Sequence, residues 1–253
     1  MKFVMILAPG FEELEAVGTA DVLARLKIDV IPAGLEDLQV TGSHNMTLTV
    51  QHRLKDMDPA GYDGVILPGG LPGSTNLLDS DEVIRWIRVM YESNRITAAI
   101  CAAPIVLAKA GVLKDGKFTM YPGFDSYLGN LHYTDAPAER DGNVITGKGP
   151  GAVFAFAAKI AEAAGADYMG VGAVFPSPTK TNAIRITNEQ LRNIVSSVSI
   201  PAVAIGGIGY DNVCEIKGCS VSGVAVVSAI FGAENIENAT ALLKKRVETV
   251  IEE

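Results

Sequence analysis

Residues 98–104 read Ala-Ala-Ile-Cys101-Ala-Ala-Pro104, with small apolar residues on both sides of a single cysteine. The apolar run predicts a buried strand, and a helical pattern begins directly after Cys101, which places the cysteine on a sharp strand-to-helix turn. A helix N-terminus lowers a cysteine pKa, and the thiolate is the nucleophilic form. An isolated cysteine is more often a small buried hydrophobe, so a catalytic interpretation requires partners elsewhere in the chain.

The first helix offers one such partner. Residues 2–8 form an apolar strand, and the helical segment after it carries Glu12, Glu13 and Glu15 in its first turns. Glu12 and Glu13 are interpreted as a solvated face that matches the positive end of the helix dipole. Glu15 lies between apolar residues, and its register allows it to face inward.

A glycine-rich loop offers a second partner. Residues 63–67 form an apolar strand that runs into a loop with glycines at 69, 70 and 73. Glycine lets a backbone approach a ligand closely. An amide of this loop, together with the amide after Cys101, would form an oxyanion hole. Taken alone, the loop is equally typical of an ordinary strand-ending turn.

Composition bounds the class of protein. The chain has 253 residues, 48% hydrophobic and 20% charged, with a net charge of −8 and no basic run, which argues against nucleic-acid partners. The sequence shows no membrane span of about 18 apolar residues. Its three cysteines, Cys101, Cys214 and Cys219, have no zinc-binding spacing, so we expect a reducing cytoplasm and no metal site.

Apolar strands alternate with amphipathic helices, which is typical of α/β proteins. The patterns predict strands near 2–8, 28–33, 63–67, 96–100 and 143–146, and helices near 11–26, 80–93, 102–110 and 151–164. Residues 37–56 alternate polar and apolar residues and predict a small antiparallel excursion. Residues 114–142 predict loops with short strands.

A second part follows without a linker, so we predict domains at 1–165 and 166–253. Three apolar runs, at 167–175, 200–208 and 223–230, predict strands. Thr187 and Gln190 form a capping-box pattern at the start of a helix, and a closing amphipathic helix is predicted over 234–251. Parallel strands that are apolar on both faces must be covered on both, so this part requires packing partners.

The first part resembles the ThiJ/PfpI superfamily, in the branch that holds the Parkinsonism-associated deglycase. The resemblance covers residues 1–164 and lies in four stretches: Pro-Gly-Phe-Glu-Glu-Leu-Glu15, Leu67-Pro-Gly-Gly70, the Cys101 turn and Gly147-Lys-Gly-Pro-Gly151. It implies a flavodoxin-like α/β sandwich that forms a homodimer. It also implies that Cys101 is the nucleophile, that Glu15 is a protonated carboxyl beside it, and that the amides of Gly70 and Ala102 are the oxyanion donors.

Two positions depart from that family. Tyr121 stands where some members have a histidine, and Lys148 replaces an arginine before the Gly-Pro-Gly turn. Without that histidine, proton transfer would fall to Glu15 or Cys101. His44 lies in a polar segment and is assigned a structural or solvated role.

The second part resembles the C-terminal portion of thiamine phosphate synthase, a (β/α)8 barrel, and predicts a partial barrel of about three βα units over 166–253. The matching stretches include Pro176-Ser-Pro-Thr-Lys180 and Val203-Ala-Ile-Gly-Gly-Ile208. The resemblance implies a phosphate site, since barrels bind phosphate at the loops after their last strands. Its expected contributors are Ser177, Thr179, Lys180, Gly206, Gly207, Val227 and Ser228.

These patterns support three functions. The first resemblance implies a cysteine-dependent glyoxalase or deglycase that acts on small α-oxoaldehydes or their adducts and needs no cofactor. The second implies a thiamine-synthesis transferase that binds a phosphorylated ligand with magnesium. That reaction requires charge neutralisation from the first five βα units, which this chain lacks. The third function is a redox sensor or holdase, since an exposed reactive Cys101 oxidises readily.

Overall fold

The predicted apolar runs assemble into two sheets. The computed structural model describes residues 1–177 and 183–251, and the chain divides into two units, Met1–Gly165 and Ala166–Glu253. The strands of the first unit are β1 (Lys2–Leu7), β2 (Asp29–Gly34), β3 (Gln39–Thr41), β4 (Thr47–Thr49), β5 (His52–Arg53), β6 (Gly64–Leu67), β7 (Ile96–Ile100), β8 (Ala138–Asp141) and β9 (Val144–Gly147). Its α-helices are α1 (Glu13–Arg25), α2 (Gly73–Asp79), α3 (Asp81–Glu92), α4 (Pro104–Ala110) and α5 (Val153–Ala163). Short 3-10 helices span Leu54–Asp56, Pro59–Gly61, Asp125–Tyr127 and Pro150–Ala152.

The main sheet has seven strands in the order β5-β2-β1-β6-β7-β9-β8. All neighbours are parallel except β8 and β9, which form an antiparallel pair at one edge. The predicted antiparallel excursion is confirmed as the β3–β4 hairpin. The helix α2, which directly follows the glycine-rich loop, was not predicted, because that segment lacks a long apolar stripe.

Both faces of this sheet are buried. Alternate side chains of β1, such as Val4 and Ile6, point into an apolar cluster with Trp86 and residues of α4. The intervening residues, such as Phe3 and Met5, are equally buried on the opposite face. There α1 and α5 pack against each other. The sheet therefore lies between two layers of helices, and the flavodoxin-like α/β fold is confirmed.

The parallel strands bring the functional segments together. In a parallel sheet all carboxyl ends lie at one edge, and ligands bind in the crevice outside it. The segments after β1, β6, β7 and β9 carry Glu15, Gly70, Cys101 and Lys148, respectively. Residues far apart in sequence therefore meet at this edge.

Over residues 166–177 and 183–251, the second unit contains three short strands and three α-helices. The strands β10 (Met169–Val171), β11 (Ala202–Ile205) and β12 (Gly223–Ala225) are parallel and lie in that order. The helices are α6 (Asn188–Ser196), α7 (Ser228–Phe231) and α8 (Ile236–Ile251), with a 3-10 helix at Val213–Ile216.

The start of α6 follows its sequence signal. The predicted capping box is present: Thr187 Oγ1 accepts the Gln190 N–H, and the Gln190 side chain accepts the Thr187 N–H. The strand predicted over 223–230 was too long, since α7 begins at Ser228. None of the helices in residues 1–177 and 183–251 is both long and apolar enough to cross a bilayer.

Candidate active site

Cys101 lies at the carboxyl end of β7 in a conformation that is uncommon for a side-chain-bearing residue. Its φ is +64°, a left-handed region that few non-glycine residues adopt. The Cys101 N–H donates to Gly147 O at 2.9 Å, so β9 fixes the turn, and α4 begins three residues later. Residues held in such backbone conformations cluster at functional sites.

Glu15 is the buried carboxyl of the site. Its side chain is fully buried, its Oε2 accepts the Gly69 N–H at 2.8 Å, and its Oε1 has no hydrogen-bond partner among the described residues. Burial raises the pKa of Glu15 to about 7, since interactions with Cys101 and the Gly69 N–H lower it less. The inward orientation that the register allowed is the one observed.

The two expected oxyanion donors act on the cysteine. The backbone N–H groups of Gly70 and Ala102 lower the pKa of Cys101 and so favour the thiolate. Burial and the negative charge of Glu15 outweigh them and raise the pKa of Cys101 to about 12. The lowered pKa expected from the helix N-terminus is therefore not found while Glu15 is ionised.

Glu15 and Cys101 form a coupled pair, because the charge of each group disfavours the charge of the other. Protonation of Glu15 removes the negative charge that raises the pKa of Cys101. The amides of Gly70 and Ala102 then act on the sulfur without that opposition. The two groups therefore share one proton, which lies either on Glu15 or on Cys101. When Glu15 holds the proton, Cys101 is the thiolate.

The glycines of the loop are required by close packing. A Cβ at Gly69 would lie 2.6 Å from the Cys101 Cβ and 2.7 Å from Glu15 Oε2. Gly70 has φ +90°, and a Cβ there would lie 2.5 Å from Glu12 N. Neither position accepts a side chain without displacing the site.

The interpretation of Glu12 and Glu13 as a solvated face was wrong. The Glu12 side chain is only 14% exposed and accepts the Glu15 N–H at 2.6 Å. Glu13 is 4% exposed, because the β3–β4 turn folds over it. His44 donates to it through its backbone N–H at 2.7 Å and its Nδ1 at 2.9 Å. Burial acts to raise the pKa of Glu13, but these hydrogen bonds prevail and lower it to about 2. The same contact raises the pKa of His44, whose side chain is exposed.

One group with metal-ligand geometry occurs among the described residues. Glu12, Glu13 and His44 bring a ligand atom each to within 4.8 Å of one another. Because the oxygens of Glu13 already accept hydrogen bonds from the hairpin turn, the group is accounted for without an ion. Sequence reasoning missed this cluster, since the hairpin lies thirty residues from α1 and carries no spacing signal.

The two departures from the family pattern lie beside the cysteine. The Tyr121 N–H donates to Cys101 O at 2.9 Å, and its half-exposed ring lies against Gly149. Lys148 directly follows β9, whose Gly147 O accepts the Cys101 N–H, and it forms an ion pair with exposed Asp135. Both side chains therefore lie around the strand ends that form the site.

The expected phosphate residues occupy strand ends of the second unit. Ser177 follows β10, the pair Gly206-Gly207 follows β11, and Val227 and Ser228 lie at the start of α7. Since these strands are parallel neighbours, their carboxyl ends adjoin. Thr179 and Lys180 lie outside the described residues.

The glycine pair in this unit supports close loop packing. A Cβ at Gly206 would lie 2.8 Å from Ala173 atoms, and one at Gly207 would lie 2.2 Å from Pro176 O. The Phe175 N–H donates to Gly206 O at 3.0 Å. These glycines therefore join the loops after β10 and β11.

Comparison with known proteins agrees with this geometry. The model of the DJ-1/PfpI family matches residues 1–163. The chain belongs to the DJ-1/PfpI family. Protein DJ-1alpha of Drosophila melanogaster is 42% identical over 162 residues, which cover 62% of this chain and 75% of the relative. The crystal structure of Drosophila melanogaster DJ-1beta superposes with a TM-score of 0.60 at 41% identity, over 64% of this chain and 88% of that chain.

The C-terminal part of the chain matches a second family. The thiamine monophosphate synthase model matches residues 149–230. The thiamine-phosphate synthase of Pyrococcus furiosus is 54% identical over 91 residues, 36% of this chain. The chain spans 44% of the length of that relative. The protein is thus a DJ-1/PfpI domain fused to a thiamine-phosphate synthase-like partial barrel, as the motifs predicted. The second match begins at residue 149, inside the segment that the first family also covers.

Proposed function

We propose that the protein is a cysteine-dependent glyoxalase or deglycase that acts on small α-oxoaldehydes or their adducts. The observation that supports this most is that the Glu15 carboxyl and the Gly70 and Ala102 amides all act on the Cys101 sulfur. It unites a nucleophile, a proton-carrying carboxyl and two fixed donors in one buried site. These are the elements of covalent catalysis at a carbonyl.

The first step is addition of the Cys101 thiolate to the aldehyde carbon. The sulfur–carbon bond forms, the carbonyl π bond breaks, and its electron pair moves to oxygen. The amides of Gly70 and Ala102, already directed at the sulfur, stabilise the developing oxyanion. Protonated Glu15 gives its proton to that oxygen, which yields a hemithioacetal and leaves Glu15 as a carboxylate.

Glu15 is suited to the next step. With a pKa of about 7, it can both give and accept a proton near neutral pH, where general acid–base catalysis is most efficient. It moves a proton from the former aldehyde carbon to the neighbouring ketone carbon, through an enediol. The first carbon is thereby oxidised to a thioester and the second reduced to an alcohol. Water then releases a hydroxy acid and the thiol, without an external oxidant or cofactor.

The deciding experiment compares hydroxy-acid formation from methylglyoxal by the wild-type chain and by Cys101→Ala. We expect turnover in the wild type and its loss in the variant. Cys219→Ala is the matched control, because Cys219 is a buried cysteine of the second unit and its removal should leave turnover intact. Turnover that persists in Cys101→Ala would disprove the proposal. Rapid peroxide oxidation of Cys101 without any turnover would favour the sensor or holdase function.

The fused domain supports a second candidate. We propose that the partial barrel retains binding of a phosphorylated ligand, because Ser177, Gly206-Gly207 and Ser228 share one edge of three parallel strands. Transferase activity, with magnesium, would need the part of the relatives' length that this chain does not span. Calorimetry with thiazole phosphate tests the binding, with Ser228→Ala as the comparison. Absence of any heat of binding would remove this candidate.

Two further proposals concern the oligomeric state and the cellular location of the protein. A homodimer and a cytoplasmic location follow from the family resemblance and from cysteine usage. Sedimentation of the intact chain tests the first, and fractionation of expressing cells tests the second.

A further inference from the structure

The β3–β4 turn is built on the carboxylate of Glu13. Oε1 of Glu13 accepts the His44 N–H at 2.7 Å and the Met46 N–H at 3.3 Å. Its Oε2 accepts the Ser43 hydroxyl at 3.2 Å and lies 2.9 Å from His44 Nδ1. A Cβ at Gly42 would lie 2.3 Å from Oε1, so the turn can sit on this carboxylate only because residue 42 is glycine.

The same turn holds the segment that precedes α1. The Gly10 N–H donates to Thr41 O at 2.8 Å, and the Ser43 N–H donates to Phe11 O at 2.8 Å. The hairpin thus binds the Gly10-Phe11 segment from two sides. Glu13 lies two residues after Phe11, at the start of α1, so the helix and the hairpin both adjoin this segment.

That segment in turn fixes the glycine loop of the active site. The Glu12 N–H donates to Gly69 O at 2.9 Å, and the Gly73 N–H donates to Gly10 O at 3.2 Å. At Gly70 the backbone contact is so close that a Cβ would lie 2.5 Å from both Glu12 N and Gly10 O. A shift of the Gly10–Glu12 segment therefore moves the Gly70 amide.

We infer that Glu13 is a positioning residue, which holds the Gly70 amide against Cys101 through the β3–β4 turn and the Gly10–Glu12 segment. Glu13 makes no direct contribution to bond making or breaking. Its hydrogen bonds are charge-assisted, which makes them about twice as strong as neutral ones. With a pKa of about 2, the carboxylate keeps its charge throughout the working range of Cys101. The inference rests on the proposed role of Cys101.

The test is the pH profile of Cys101 alkylation by iodoacetamide, measured in a chain whose other cysteines are replaced by alanine. Glu13→Gln keeps the size of the side chain but removes its charge and places an amide against the donors of the turn. Because the Gly70 amide favours the thiolate, its displacement should raise the apparent thiol pKa and slow alkylation about tenfold at neutral pH. With methylglyoxal, kcat should fall about tenfold with KM unchanged, since an oxyanion donor acts in the transition state.

Asp115→Asn is the matched control. Asp115 Oδ1 accepts the His132 N–H at 2.7 Å and lies 3.0 Å from His132 Nδ1. This is the same pairing, in a loop that has no hydrogen bond to the Gly10–Glu12 segment among the described residues. Loss of the Asp115 charge in this variant should leave the alkylation profile of Cys101 unchanged. A folded Glu13→Gln chain with a wild-type alkylation profile and kcat would overturn the inference.

Two further outcomes keep the test decisive. If Glu13→Gln does not fold, the double variant Ser43→Ala, His44→Ala removes two of the four bonds from the turn side, and a wild-type profile there overturns the inference. If the wild-type chain shows no turnover, the proposed function fails, while the alkylation profile still reports whether Glu13 positions Gly70.

Discussion

The two units each contain a strand that ends in a pair of glycines, but the two pairs differ in what they approach. Gly69-Gly70 follows β6 and packs against Cys101, Glu15 and Glu12. Gly206-Gly207 follows β11 and packs against the backbone of residues 173–176. The same sequence signal therefore serves the candidate active site in one unit and a junction of two loops in the other.

The sheets that carry these pairs differ as well. All four residues of β6 are buried, as parallel strands require. In β11 the residues alternate, with Ala202 and Ala204 buried and Ile205 43% exposed. Among the described residues, β10 and β12 have no further strand partner. The first unit is a closed sandwich, whereas the second presents an open apolar face, in line with a fragment of a larger barrel.

The largest effect should come from Gly69→Ala. A Cβ there collides with both Cys101 and Glu15, so we expect aldehyde turnover to fall at least about a hundredfold, together with a loss of stability of about 1–3 kcal/mol from overpacking. Gly207→Ala should destabilise the second unit to a similar degree and leave turnover unchanged. Kinetics and thermal unfolding of both variants measure this. Equal losses of turnover would break the distinction between the two pairs.

The next effect is the pH dependence that Glu15 gives to the first unit. Its pKa is raised from 4.5 to about 7 in the folded chain, so its stabilising contribution is complete below pH 4.5 and is lost as the pH rises through 7. Glu15→Gln removes this dependence. The free energy of unfolding of the variant, taken relative to that of the wild type, should therefore be about 3 kcal/mol higher at pH 8 than at pH 4. Denaturant titrations at both pH values measure the difference, and a constant difference would contradict the assignment.

A smaller effect should come from the loss of a helix cap, which can be compared between the two units. Thr187 Oγ1 caps α6 at 3.1 Å from Gln190 N, and Ser80 Oγ caps α3 at 3.4 Å from Val83 N. Thr187→Ala should cost about 1 kcal/mol, and Ser80→Ala should cost less because its bond is longer. Chemical denaturation followed by circular dichroism resolves both values. The reverse order would show that α6 depends little on its cap.

The smallest effect should come from the open face. Because Ile205 is 43% exposed, Ile205→Thr should change the free energy of unfolding by no more than about 0.5 kcal/mol. The matched variant Ile66→Thr, in a fully buried strand, should cost several times more. Small-angle scattering and denaturation of both variants test this. A large loss at Ile205 would show that a second chain or segment covers the face in solution.

The sequence was informative wherever a signal is local. Strand and helix order follow from apolar periodicity, the capping box at Thr187 from two residues three apart, and the site from motifs around Glu15, Gly70 and Cys101. Cys101 and the glycine loop were identifiable because the chemistry demands small residues beside them. The two-family composition was likewise readable, since each family's motifs are contiguous.

Three-dimensional packing decided the rest. No local pattern shows that Glu13 is buried, because its burial comes from a hairpin about thirty residues away. The sign of the pKa shift at Cys101 was also not in the sequence: a helix start predicts a decrease, but burial beside Glu15 produces an increase. The sequence by itself determined which residues form the candidate site. The tertiary structure decided their charge and hydrogen bonding, because desolvation and long-range contacts depend on what the fold places next to each group.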